Sequence, residues 1–345
     1  MILQLADTGI HLDFLQETFR NKSNVDVFCS SSSLFREGGT EDQLVASTKR
    51  NRRLSAQINV MFGSGPVSPM KCPHLNELFL RPRHSENDIH AYARSRVYDL
   101  RRYTTENLWG PFTDDGTQAI DWEKVEAIQI DLGYNLSLFA DSDQMPWASP
   151  FAGCAANSYK STSYHAMEEP EDDFPLPFTQ SMLSLSPTLP QLKKEASLAL
   201  DTQDPYGVTG TWARVVCFLD YNDLFAFNFT APQLPADQPR EPISTQEAIR
   251  IIVIKLQVTK VEPPGPDDGQ DLPVVHFKGT SRARSRVWDG NANSLIRGTV
   301  RQTPRGAIRW TTFSIFDGEA RWRSEGVQVG GLKSARGVLG SWFDK

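Results

Sequence analysis

The sequence predicts a mainly β fold, an antiparallel β-barrel or sandwich with one or two short helices and a long acidic loop. From Gly207 to the end, apolar and polar residues alternate in short stretches, which is typical of strands with one buried face. Turn residues separate these stretches at spacings of about 10–13 residues, as in a meander. They are Asp289-Gly290, Pro304-Arg305-Gly306, Asp317-Gly318 and Gly330-Gly331.

The charge of the chain is divided unevenly. The 345 residues carry a net charge of −6, with 39% hydrophobic residues, enough for a sizeable core. Residues 273–345 hold 13 Lys and Arg against 5 Asp and Glu, a net of +8, so residues 1–272 carry −14. Such a field is compatible with steering of a charged partner. It is equally compatible with two neutralising faces, or with a basic fold that carries an acidic loop.

The first half of the chain is weakly patterned. Residues 1–53 are predicted to be a weakly ordered N-terminal segment, in which the spacing of Leu12, Leu15 and Phe19 predicts one short helix. Residues 54–345 are predicted to form one β-rich domain. Within it, the alternation over 54–62 predicts a strand, and 92–100 is a second candidate strand.

A helix is predicted over 122–132. Apolar residues recur there at helical spacing, Asp121 can cap the first turn and Gly133 can end the helix. The alternation of Ile128 with Ile130 leaves a strand possible. After this helix, residues 137–206 are predicted to be a disordered, acidic and proline-rich insertion, because they contain the acidic run EEPEDD and the proline-containing segments PWASP, PLP and SLSPTLP.

The remaining residues predict strands. A strand at 207–221 is followed by the turn Asn222-Asp223 and by a hairpin partner at 224–229. Ser244 and Glu247 have the spacing of a capping box, but the alternation that follows limits any helix there to one turn. The further predicted strands are 249–262, 273–281, 294–303, 306–316, 319–331 and 336–343.

The sequence contains no enzyme motif that we recognise. It lacks a phosphate-binding loop, a nucleophile elbow and a zinc-protease helix, and its adjacent carboxylates resemble solvated turns. We interpret His84 and His90 as surface residues beside Glu86 and Asp88, and His276 as a half-buried strand residue. We therefore predict no catalytic residue, no metal and no cofactor.

The cysteine pattern indicates an intracellular protein. Cys29, Cys72, Cys154 and Cys217 are scattered without metal-ligand spacing, as expected for free thiols in a reducing compartment, the cytoplasm or the nucleus. The N-terminus has no basic region of a secretory signal. The longest strongly apolar run, at 251–254, is far short of the ~20 residues that cross a bilayer, so no membrane partner is predicted.

Arginines interleaved with aromatic residues on the last strands are the candidate recognition residues. They are Arg297, Arg309, Arg321, Trp322 and Arg323. Because a guanidinium donates two parallel hydrogen bonds, this pattern favours a peptide or another acidic ligand. Cross-strand Arg–Glu pairing on a solvated face is the structural alternative. Nucleic-acid binding, in which aromatic residues stack on bases, is less favoured.

Three blocks of the chain resemble a family of fungal F-box proteins, the substrate receptors of SCF-type ubiquitin ligases. They are YARSRVYDL to DLGYNL (92–136), GVTGTWARVVCFLDYNDLFAFNF (207–229) and HFKGTSR to GVLGSWFDK (276–345). The resemblance covers most of the chain outside 1–53 and 137–206. Residues 1–53 show no recognisable F-box.

The resemblance implies a protein-binding function without catalysis. In such receptors an F-box binds the Skp1 adaptor of the cullin complex, and a C-terminal β domain selects a protein substrate for ubiquitination and proteasomal degradation. The β domain is similar to one in which a barrel holds substrate tails. This implies that Arg297, Arg309, Arg321 and Arg323 lie near a recognition surface. A β-barrel small-ligand binder or enzyme is the alternative.

Overall fold

Seven strands form one antiparallel sheet that curls into a half-barrel. The computed structural model describes residues 49–62, 86–140, 199–230, 234–235, 238–283, 293–334 and 337–344. Each strand pairs with the next along the chain, so the sheet order is the sequence order. The predicted mainly β, antiparallel fold is thus confirmed. The strands are β1 (Gly210–Phe218), β2 (Ala248–Glu262), β3 (Val274–Ala283), β4 (Ser294–Gln302), β5 (Ile308–Phe316), β6 (Glu319–Gln328) and β7 (Val338–Asp344).

The described helices precede the sheet or follow its first strand. They are α1 (Lys49–Phe62), α2 (Glu86–Val97), a 3-10 turn (Leu100–Arg102), α3 (Trp122–Ala140) and α4 (Tyr221–Phe225), which continues as a π turn (Ala226–Thr230). None of the described helices has the length and apolar character needed to cross a membrane. The predicted helix near Leu12, the central part of the predicted insertion (141–198) and the turn Asp289-Gly290 lie outside the described residues.

Two predicted strands are helices in the structure. The segments 54–62 and 92–100 belong largely to α1 and α2. In α1, Ala56 and Val60 are fully buried, and a spacing of four residues fits a helix as well as a strand. The neighbouring helix α3 decides between the two, because Asn59 and Arg52 of α1 bond to Glu126 and Glu123 of α3. In α2, Ala93 packs against Ala127 of α3.

The predicted helix after Asp121 is confirmed and is longer than predicted. The Asp121 carboxylate accepts a hydrogen bond from the backbone N–H of Lys124, 3.2 Å away, as an N-cap does. The prediction that Gly133 ends the helix is wrong, since α3 continues to Ala140. Tyr134 stacks on His90 of α2 in this last part, with ring centroids 3.4 Å apart.

The predicted hairpin partner of β1 is wrong as well. Residues 224–229 are helical, and Asp220 caps α4 by accepting from the N–H of Asn222 at 2.9 Å. The alternating Phe residues of this segment do not form a buried strand face, because Phe225 and Phe229 are exposed. Strand β1 pairs instead with β2, as in Trp212 with Ile254.

Residues 199–206, the last part of the predicted insertion, are ordered and enter the core. Tyr206 is 1% exposed and donates its hydroxyl to the carbonyl of Pro273 at 2.7 Å. Both carboxylate oxygens of Asp204 accept backbone N–H groups, from Tyr206 and Val208. The composition of the insertion concealed this anchor, because only two apolar side chains carry it.

The two faces of the sheet bury different partners. The concave face holds the main apolar core, with Val275, Phe277 and Val300 fully buried. On the convex face, Val327 and Leu339 pack against α1 and α3. Close approach across the concave side requires glycine at Gly298, where a Cβ would lie 2.4 Å from the ring of Phe277.

Lys124 fastens the loop between α2 and α3. Its ammonium donates to the carbonyls of Arg102 and Gly110, at 2.8 and 3.2 Å, and lies 3.9 Å from the centre of the Tyr103 ring. The side chain is buried, and this burial lowers the pKa of Lys124 to about 8. Keeping Lys124 charged near neutral pH therefore lowers the free energy of unfolding.

We expect stability to rise with alkaline pH because of this lysine. Between about pH 8 and pH 10.4 the unfolded chain keeps the proton while folded Lys124 releases it, so the unfolding free energy increases with pH. Relative to Lys124→Met, the wild type gains on the order of 2 kcal/mol across this window. Urea unfolding at several pH values measures this difference. Parallel pH profiles of the two proteins would contradict it.

Candidate functional site

Aromatic side chains gather on the concave face where the first and last strands approach each other. Phe218 of β1 and Trp342 of β7 lie edge to face with ring centroids 6.1 Å apart, and Trp322 of β6 lies 4.6 Å from Trp342. Trp212 of β1 contacts Trp310 at 5.1 Å. We call the set Trp212, Arg214, Phe218, Trp322 and Trp342 the aromatic cup. Such an apolar concave surface with few polar groups is the usual form of a ligand site.

Arg214 is the charged member of the cup. It lies on β1 between Trp212 and Val216, and alternation along the strand turns all three side chains to the concave side. Arg214 is half-buried, and burial lowers the pKa of its guanidinium to about 10, so the group is charged at neutral pH. Within the described chain it has no hydrogen-bond or ion-pair partner.

A second arginine and several hydroxyl groups line the same concave face. Arg250, diagonal to Arg214 across the β1–β2 pair, lies over the Phe218 ring at 4.9 Å. Thr312, Ser314 and Ser324 share this face by strand alternation with Trp310 and Trp322. These groups supply cations and hydrogen-bonding hydroxyls among aromatic rings. The arrangement is suited to an anionic group attached to an apolar body.

Arg309, one of the predicted recognition residues, is committed to an internal partner. Its Nε and Nη2 donate to the two oxygens of Glu325, at 2.8 and 3.0 Å, in a bidentate pair. Glu325 is fully buried beneath Gly110, where an added Cβ would lie 2.8 Å from the Cβ of Glu325. The pairing of strand arginines with a glutamate, foreseen as the structural alternative, is thus present at Arg309.

The other predicted residues lie in three different environments. Arg297 and Arg323 lie on the convex face, where Arg323 also donates to Glu325 at 2.9 Å. Trp322 faces the opposite side and belongs to the cup. Arg321 is exposed at a β-bulge and lies 5.4 Å from the Trp322 ring centre. The structure therefore brings Arg297 and Arg323 together, and separates them from Trp322 by the sheet itself.

The histidines and cysteines form no metal site in the described part of the chain. No group of three or more His, Cys, Asp or Glu side chains is close enough there to hold a metal ion. His90, predicted at the surface, is 6% exposed and stacks on Tyr134. His276 is half-buried as predicted, with Nε2 2.5 Å from Oε2 of Glu262. Cys217 is a free thiol, and the other three cysteines lie outside the described residues.

Sequence reasoning missed Arg214, although a signal for it was present. The segment TWARVVCF places Trp212, Arg214, Val216 and Phe218 on one face of a strand. Three of these residues are apolar and form part of a buried face, so a charged residue in the series is anomalous.

The comparisons with known proteins give no family. No family model, no curated protein and no solved structure matches this chain.

Proposed function

We propose that this protein is a non-catalytic recognition module that binds an acidic segment of a partner protein in the aromatic cup. The observation that carries the proposal is Arg214, a guanidinium on the concave face with no counter-ion among the described residues. A desolvated cation without a partner destabilises a fold. A bound carboxylate or phosphate would compensate it while the surrounding rings cover the apolar part of the ligand.

The resemblance to fungal F-box proteins supports a more specific proposal. On this view the half-barrel is the substrate receptor of an SCF-type ubiquitin ligase, and the bound segment belongs to a protein destined for degradation. Recovery of the Skp1 adaptor and cullin with the purified chain would test the ligase assignment. Their absence would overturn it and leave the recognition function intact.

Replacement of Arg214 by Met tests the cup. We expect Arg214→Met to weaken binding of an acidic peptide by about tenfold or more, because one charge-assisted hydrogen bond is lost. The same change should leave the melting temperature equal or higher, since it removes an uncompensated charge from the concave face. Fluorescence anisotropy measures the affinity for an array of Glu-containing peptides and for their Gln-containing counterparts. Thermal unfolding measures the melting temperature.

The matched control is Arg305→Met, in the exposed turn before β5. It removes the same charge but should change neither affinity nor stability. Equal losses of affinity in the two variants would show that only the net charge matters, which would contradict the proposal. Binding of Gln peptides as tight as that of Glu peptides would contradict it too.

A small anionic molecule is the second candidate ligand, because the cup combines rings with one cation. Benzoate is a suitable probe for this alternative. Competition by benzoate at micromolar concentration, together with no measurable affinity for any acidic peptide, would favour the small-ligand function over protein recognition.

A further inference from the structure

A single row of cations and aromatic rings crosses the convex face of the sheet. Strand pairing aligns Lys278 of β3, Arg297 of β4, Phe313 of β5, Arg323 of β6 and Phe343 of β7 directly opposite one another. We call this row, with Trp109, the convex ladder. At about 4.8 Å between strands it is about 19 Å long, the length of about six extended residues.

Guanidinium groups and rings alternate along the ladder. Arg297 and Arg323 lie 5.6 and 5.8 Å from the Phe313 ring centre, and Arg323 lies 5.8 Å from that of Phe343. The indole of Trp109 continues the series, 5.6 Å from Phe343. The rings hold the guanidinium groups in fixed positions by cation–π contact.

Two of the three cations of the ladder have no carboxylate partner in the described part of the fold. Lys278 and Arg297 are exposed, stand directly opposite each other and have no carboxylate partner in the described chain. Like charges in this position destabilise an antiparallel pair. Arg323 is anchored by Glu325 through Nε and Nη2, and its Nη1 makes no hydrogen bond with described residues. The row therefore offers positive charge to an external anion.

The loop before α3 presents Trp109 at the end of the ladder at a conformational cost. Leu108 and Trp109 both have φ of 59°, in the left-handed region that non-glycine residues seldom adopt. Hydrogen bonds hold them there, from the N–H of Trp109 to Asn107 Oδ1 at 3.1 Å and from Ser341 Oγ to the Trp109 carbonyl at 3.2 Å. The strained backbone leaves the indole 42% exposed.

We infer that the convex ladder is a second docking surface, which binds an extended acidic segment of a partner protein. Carboxylates or phosphates of the segment pair with Lys278, Arg297 and Arg323. Its apolar side chains rest on Trp109 and on Leu295, an exposed neighbour of Arg297 on the same face. This surface lies on the opposite side of the sheet from the aromatic cup and does not depend on it.

An acidic peptide fits the ladder better than a single-stranded nucleic acid. Phe313 already has guanidinium groups at two sides, and Phe343 is in contact with Arg323 and Trp109. Only Trp109 offers a largely open ring in the ladder, whereas base stacking uses a series of free rings.

The experiment measures the anisotropy of a fluorescein-labelled decapeptide that alternates Glu with Val. Lys278→Gln/Arg297→Gln should weaken its binding by about tenfold or more, because two charge pairs are lost. Trp109→Ala should weaken it independently of salt. The melting temperature of the double variant should not fall, because a like-charge pair is relieved.

Two controls distinguish an effect of the ladder on affinity from an effect of net charge and from binding in the cup. Arg282→Gln/Arg305→Gln removes the same charge from exposed positions outside the row and should leave affinity unchanged. The loss on Lys278→Gln/Arg297→Gln should persist in the Arg214→Met background, where the cup no longer contributes to binding of the peptide. An equal loss in the Arg282/Arg305 control, or an effect confined to Arg214→Met, would overturn the inference.

Other occupants of the ladder are outcomes of the same experiment. Displacement of the peptide by an equally charged deoxythymidine oligomer at lower concentration would assign the surface to nucleic acid and overturn the inference. A dimer of the wild-type chain that dissociates in Lys278→Gln/Arg297→Gln would assign it to a second copy, with the same consequence. A monomer that prefers the peptide would support the inference.

Discussion

Replacing Arg94 by Met should lower the unfolding free energy by about 3–5 kcal/mol, the range for an uncompensated buried charge. The side chain of Arg94 is 1% exposed, and its Nε donates to Asp131 at 3.1 Å and to Glu247 at 2.9 Å. Nη1 donates to the Thr245 carbonyl at 2.6 Å and Nη2 to Asn135 at 3.3 Å. The cluster joins α2, α3 and the start of β2, so its loss should loosen the helices from the sheet.

The charges of this cluster explain the size of the effect. Burial and the neighbouring Glu247 raise the pKa of Asp131 well above its usual value. Burial followed by the charges of Glu247 and Asp131 raises the pKa of Tyr98, whose protonated hydroxyl donates to Glu247. Without the guanidinium, Glu247 would be a fully buried carboxylate that retains only neutral donors.

Urea unfolding of Arg94→Met measures the loss of stability. The control is Arg50→Met, at an exposed position of α1. The control should change stability by less than about 0.5 kcal/mol. Adding Asp131→Asn and Glu247→Gln to Arg94→Met should recover part of the loss, because the unpaired charges are removed. A triple variant no more stable than the single one would show that packing, and not charge, determines the effect.

Replacing Glu325 by Ala is expected to be as damaging, again by about 3–5 kcal/mol. This carboxylate is fully buried and accepts from Arg309, from Arg323 and from Thr311, the last at 3.0 Å. Its removal leaves two cations facing each other under the loop that contains Gly110. We expect a lower urea midpoint together with weaker binding of the ladder peptide, since Arg323 loses its anchor.

Glu319→Ala, at an exposed position of the same strand, is the matched control and should be close to neutral. The double variant Arg309→Met/Glu325→Ala should be more stable than Glu325→Ala alone, because it removes one of the two cations that have lost their carboxylate. Additive losses in this double-mutant cycle would contradict a direct interaction between the two side chains.

The sequence alone predicted the strands of the sheet, although not the partner of β1. The alternation and turns after Gly207 predicted β1 and the six strands β2 to β7, because residues on a half-buried strand repeat every second position. The sequence also predicted the hairpin turn Asp317-Gly318. Such a turn needs positive φ at both residues, which Asp-Gly tolerates and which both residues have in the structure. The helices were harder to predict, since the four-residue spacing of Ala56 and Val60 fits both a helix and a strand.

What the sequence determined by itself is the set of antiparallel strands, the tight turns Pro304-Arg305-Gly306 and Asp317-Gly318, and the uneven charge that concentrates arginine on the last strands. Only the tertiary structure decided the role of each arginine. Arg309 is paired with Glu325, and Arg94 with Asp131 and Glu247, whereas Arg214 and Arg297 have no counter-ion among the described residues. The physical reason is that a strand pattern fixes the face of a side chain, whereas its counter-ion comes from residues distant along the chain.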